Sequence, residues 1–162
     1  MNLKVKMEKG WYYKNEVWFS EAFKKLPRSA INLLQCFATE IRKKQNKRKK
    51  GEWDITNNGE LSVTQSQFVK LTGYSKTTFI KERNRLIEHG FLIITYLGGG
   101  GSGDRSKYKL LICDDVPKEK QRWRRYPKEN WKHEVPKRKN NLIGKKTQWK
   151  KGHSGRKIDS TL

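Results

Sequence analysis

Residues 61–112 read LSVTQSQFVKLTGYSKTTFIKERNRLIEHGFLIITYLGGGGSGDRSKYKLLI, and their punctuation sets the order of elements. Leu61-Ser62-Val63 has the composition of a short strand. Thr64 is placed to cap a helix over TQSQFVKLTG, with Phe68, Val69 and Leu71 facing inward and Gly73 ending it. Tyr74 makes the turn. Ser75 caps a second helix, SKTTFIKERNRLIEHG, and Gly90 closes it as a left-handed cap. FLIITY then reads as a strand, GGGGSGDRS as a loop and KYKLLIC as a returning strand. The sequence therefore predicts helix, short turn, helix and β-hairpin, in that order.

Upstream, Ser20 opens a short helical turn, SEAFKKL. Pro27 suits the first position of a longer helix. Ile31, Leu34, Phe37, Ala38 and Ile41 recur at helical spacing and predict one amphipathic helix from about Pro27 to Lys44. Residues 1–19 are rich in β-formers and aromatics (Val5, Met7, Trp11, Tyr12, Val17, Trp18, Phe19) and read as an extended N-terminal arm. The division is then 1–19 arm, 20–113 domain and 114–162 basic tail.

Residues 61–112 resemble the winged helix-turn-helix domains of prokaryotic transcription regulators and replication initiators. Thr64 to Leu71 matches the support helix, Gly73-Tyr74 the turn, Ser75 to His89 the recognition helix, and Gly90-Phe91-Leu92 the step into the wing. The match covers about a third of the chain, or two-thirds when the helix from Pro27 is counted as the first. Arg83 departs from it, standing where such helices often carry a core Leu. The resemblance implies an α+β fold: a three-helix core plus a β-hairpin wing, here followed by an extended basic C-terminal tail.

It also implies a DNA-facing set. A recognition helix lies in the major groove with its N-terminal residues at the base edges. With Phe79, Leu86 and Ile87 inward, the opposite face carries Lys76, Thr77, Lys81 and Arg85, with Ser75 at its start and Thr78 and Glu82 beside it. Lys76 and Thr77 come earliest and suit base contact. Lys81 and Arg85 suit base edges or phosphates. In the wing, glycines 98–101 and 103 allow Arg105, Ser106 and Lys107 to reach a minor groove or phosphates. The alternative is a loop without contacts.

Charge points the same way. The 162 residues hold 38 Lys and Arg against 16 Asp and Glu, a net +22. Such an excess attracts polyanions. Arg42, Lys43, Lys44, Lys47, Arg48, Lys49 and Lys50 crowd one block, which reads as a phosphate-contacting patch or a solvated helix end. Residues 51–60, with Asn57-Asn58-Gly59, form a loop or small hairpin. The tail carries 16 cations and 6 acids. Its Arg122, Trp123, Arg124, Arg125, Trp131, Lys137, Arg138, Lys139, Lys145, Lys146 and Trp149 mix cations with indoles. That mixture suits stacking on unpaired bases, or a strap that fixes the tail to the domain.

Other classes find little support. Only 33% of residues are apolar, with no run long enough for a membrane span and no apolar leader at the start. Cys36 and Cys113 lie far apart, outside any CxxC, and away from His89, His133 and His153. No zinc site or other metal is expected, and both thiols read as reduced core residues of a cytoplasmic protein. The glycine loop lacks the Lys-Ser/Thr of a phosphate-binding P-loop, so no nucleotide cofactor is expected. No catalytic constellation emerges. The expectation is a non-enzymatic nucleic-acid-binding protein acting on duplex DNA in transcription regulation or replication initiation. The alternative is an accessory subunit of a ribonucleoprotein or nucleoprotein complex, its tail gripping RNA, single strands or a partner protein.

Overall fold

The computed structural model describes residues 13–99, 101 and 103–137. Among them the chain is α+β, with five α-helices and two small antiparallel sheets. Two short helical turns lead, α1 (Asn15–Trp18) and α2 (Glu21–Lys24). Then follow α3 (Arg28–Thr39), the pair β1 (Lys43–Gln45) and β2 (Trp53–Ile55), α4 (Gln65–Thr72), α5 (Lys76–Glu88) and the pair β3 (Leu92–Tyr96) and β4 (Lys107–Leu110).

The caps explain the helix limits. Thr64 Oγ1 accepts the Gln67 N–H while Gln67 Oε1 accepts the Thr64 N–H, a reciprocal box that fixes the start of α4. Gly73 ends α4 at φ 78°. Ser75 Oγ accepts the Thr78 N–H at 3.1 Å and starts α5. Beyond α5, Gly90 and Phe91 donate back to Ile87 and Leu86 at 3.0 and 2.9 Å, and Gly90 sits at φ 81°.

α5 packs against α3, α4 and β3, and the core lies among them. Leu33, Leu34, Phe37, Phe68, Leu86 and Phe91 are fully buried. Each contributes about 1.5–3 kcal/mol by leaving water. Phe68 meets Phe79 edge-on at 5.7 Å and stacks on Tyr74 at 5.9 Å. In the second sheet Leu92 faces Leu110 and Ile94 faces Tyr108, with an irregularity between Ile94 and Tyr96. Leu61 pairs with Tyr108 across two backbone hydrogen bonds and adds a one-residue third strand. Asn58 continues that edge with its side chain, donating to Leu110 O and accepting from Leu110 N.

Several expectations are corrected. α3 stops at Thr39, five residues before Lys44. Asn57 captures the chain there: it donates to Glu40 O and accepts from Arg42 N, both at 2.8 Å. The cationic block consequently forms a ribbon, not a helix end. Residues 15–18 are helical, not extended, because the turn carries Val17 into the core and leaves Trp18 and Phe19 outside. Leu71 is exposed, not inward, since Tyr74 occupies the place beside Phe68.

The first half of the tail is not an extended segment. It makes three 3-10 turns, at Lys118–Lys120, Arg122–Arg124 and Lys132–Glu134, and lies on the domain. Trp123 is buried, stacks on Phe91 at 6.3 Å and donates its indole N–H to Leu111 O at 3.2 Å. Trp131 is buried as well, and its backbone N–H donates to Glu88 O. Among the described residues no helix is long and apolar enough to cross a membrane.

Candidate nucleic-acid interface

A helix with buried residues at Phe79, Glu82, Leu86 and Ile87 must turn its opposite side outward. Steps of four and three residues from Thr77 reach Lys81 and Asn84, so these form one stripe on that side. Thr77 and Lys81 are exposed and Asn84 is half-buried. Ser75 and Lys76 are exposed at the N-terminal end, and the half-buried Thr78 shares a hydrogen bond with the Ser75 hydroxyl at 2.9 Å. Lys76 and Lys81 make no ion pair among the described residues.

Arg85 lies apart from this stripe. Its guanidinium donates to Glu82 Oε2 at 2.9 Å, and Ser29 of α3 donates to Glu82 Oε1 at 3.0 Å. Glu82 is only 2% exposed, so its place is inside, not beside the outward face. The pair needs Arg85 to neutralise a carboxylate that has left water. Arg85 is therefore engaged within the fold. Arg83, standing where such helices often carry a core Leu, donates to Oδ1 of the adjacent Asn84 at 2.9 and 3.2 Å. Sequence reasoning missed Asn84, although its spacing from Thr77 and Lys81 was the available signal.

The β3–β4 loop is tied at its neck. Gly98 N–H donates to Ser106 Oγ at 3.1 Å and Gly99 N–H to Asp104 Oδ2 at 3.0 Å. Ser106 thus serves the loop itself, while Arg105 is exposed. Lys107 stands 3.8 Å from Glu60, an exposed pair of small energetic weight. The block Arg42, Lys43, Lys44, Lys47, Arg48, Lys49 and Lys50 is exposed throughout. It lies on and between β1 and β2.

The tail residues divide. Trp123 and Trp131 are buried and cannot stack on bases in this arrangement. Arg122 pairs with Glu134, Arg124 with Glu16 at 2.8 Å and Arg125 with Glu129 at 3.1 Å. Arg124 also lies 4.4 Å over Trp123, and Arg122 and Arg125 lie over Trp131 at 5.5 and 5.7 Å. Arg122 and Arg125 thus knit the strap to itself, while Arg124, Trp123 and Trp131 hold it to the domain. Lys137 is exposed. Arg138, Lys139, Lys145, Lys146 and Trp149 lie outside the described residues.

Among the described residues no group of three His, Cys, Asp or Glu side chains is placed to hold a metal ion. Cys36 and Cys113 are both free and buried. Compared with protein-family models, curated proteins and solved structures, the chain matches none.

Proposed function

We propose that this chain is a winged helix-turn-helix protein that binds duplex DNA, with a role in transcription regulation or replication initiation. α3, α4 and α5 would be the three-helix core, α5 the recognition helix and β3–β4 the wing. The observation that carries the reading is the outward end of α5: Ser75, Lys76, Thr77 and Lys81 are exposed on a helix whose opposite side is locked into the core. An α-helix so presented fits the major groove, where Lys reaches guanine acceptors and Thr meets a thymine methyl. Asn84 adds an amide that suits adenine once Arg83 releases it. The wing supplies Arg105 and Lys107 for the backbone. Burial of Trp123 and Trp131 withdraws support from the alternative, a ribonucleoprotein subunit gripping RNA through this part of the tail.

The test is selection of a motif from random duplex DNA, followed by Lys76→Ala/Thr77→Ala. The double variant should lose about 1–3 kcal/mol per contacted base pair on the selected site and little on random DNA. Equal loss on both would refute the assignment of α5. If about eight cations meet phosphates, log affinity should fall with log salt at a slope near −7.

A further inference from the structure

The β1–β2 ribbon is a second charged element, separate from α5, that meets the core at Ile55 and is otherwise exposed. Residues 42–56 contain seven cations and two acids. Both acids are engaged locally, Glu52 with Lys49 at 3.5 Å and Asp54 with the Asn46 amide at 3.4 Å. Lys44, Lys47 and Lys50 have no ion pair among the described residues. Together with Gln45 and Asn46 they line a concavity of about 520 Å³ that contains no acidic side chain. Lys44 stands opposite Asp54 across the ribbon, so Lys47 and Lys50 are the uncompensated ammonium groups of the hollow and form an anion cradle.

The ribbon is held in shape. Asn57 and Thr56 bind its root to Arg42, and Asn46 Oδ1 accepts the N–H groups of Arg48 and Lys49 to order the tip. Gln45, which lines the hollow, stands directly opposite Trp53. Opposed residues of an antiparallel pair share a face, with Cβ atoms about 4.5–5.5 Å apart. Trp53 is 60% exposed and makes no ring contact among the described residues. Lys44 points to the other face of the ribbon, so the indole borders the hollow at its Gln45 edge, where it offers a stacking face for a base, with Lys47 and Lys50 as the cations for the phosphates. In a duplex the base faces are already stacked on one another, so an indole face selects an unpaired base.

We propose that the β1–β2 ribbon grips a single-stranded nucleic acid, DNA or RNA, by stacking a base on Trp53 and seating the adjoining phosphates between Lys47 and Lys50. This goes beyond the duplex reading of α5 and stands without it.

The test uses the full chain with three fluorescein-labelled probes: oligodeoxythymidine, oligouridine and a random-sequence duplex of equal length. Trp53→Ala should weaken single-strand binding by about 5- to 100-fold and leave duplex binding within about twofold. Trp53→Phe should restore most of the loss. Lys47→Gln/Lys50→Gln should reduce the magnitude of the single-strand salt slope by about 1.4. Loss on only one of the two single strands supports the site and identifies the sugar it prefers. Unchanged single-strand affinity in Trp53→Ala, or equal loss on duplex and single strands, overturns it. Should Trp53→Ala fail to melt like the parent, the difference in tryptophan emission between parent and Trp53→Phe decides: oligodeoxythymidine or oligouridine must quench it. Lys76→Ala/Thr77→Ala is run in parallel and reads on the duplex probe, so the two proposals fail separately.

Discussion

Gly73 and Gly90 form a matched pair for measuring how tightly the strap packs. Both end a helix, with φ of 78° and 81°. A Cβ at Gly73 meets nothing within 4 Å. A Cβ at Gly90 falls 2.7 Å from both Arg122 Cβ and the Trp123 backbone nitrogen. Gly73→Ala should therefore cost only the left-handed strain, about 1–2 kcal/mol. Gly90→Ala bears the same strain plus the displacement of the strap, about 1–3 kcal/mol more because backbone must move. For a chain of this size the extra loss lowers the melting temperature by about 2–12 °C. Urea unfolding followed by circular dichroism measures both variants. Tryptophan emission adds a local signal, since lifting the strap wets Trp123. Equal destabilisation of the two variants, within about 0.5 kcal/mol, would refute the close approach of the strap to Gly90.

Arg85→Ala should destabilise by about 2–4 kcal/mol, since it leaves Glu82 buried without its cation, whereas Ser29→Ala should cost about 1 kcal/mol; an Arg85→Ala loss no larger than that of Ser29→Ala would refute the weight given to the Arg85–Glu82 pair. Burial pushes the His89 imidazole below its ordinary value near 6.5, against the opposing hydrogen bond to Ala22 O. The folded chain then binds that proton less readily than the unfolded one, so the contribution is complete above the ordinary value and is lost as pH falls below it. His89→Phe, which keeps a ring against Tyr126, should flatten the urea midpoint between about pH 7 and about pH 5 relative to the parent. Burial raises both thiols, that of Cys113 to about 12, so neither should react with a thiol reagent near pH ~8 until the chain is unfolded.

The elements legible in the sequence are those whose ends are written locally. Thr64, Gly73, Ser75 and Gly90 act on backbone groups within a few residues, and each sits where its type requires. The limits set from afar were not legible. α3 ends at Thr39 because Asn57, 17 residues from Glu40, takes its carbonyl. Ile41 fits the helical period but belongs to the stretch leading into the ribbon. Burial of Glu82 depends on Ser29, 53 residues away, so a helical wheel placed it with the exposed set. The indoles of the tail carry no periodicity. Only the Phe91 face and the Leu111 carbonyl show that Trp123 belongs inside.

The strap also bears on how the chain emerges from a ribosome. Arg124 reaches back to Glu16 across 108 residues, and Lys14 meets Asp114. Every surface that Trp123 and Trp131 cover is synthesised before them. A nascent chain that has completed α5 and β4 still presents Phe91 and Leu111 uncovered, as apolar surface of the kind that chaperones bind. Closure waits for residues 123–131 to clear the exit tunnel. A premature stop shortly after Cys113 would yield all five helices with an open flank, and the cell would meet that product as a substrate for proteolysis.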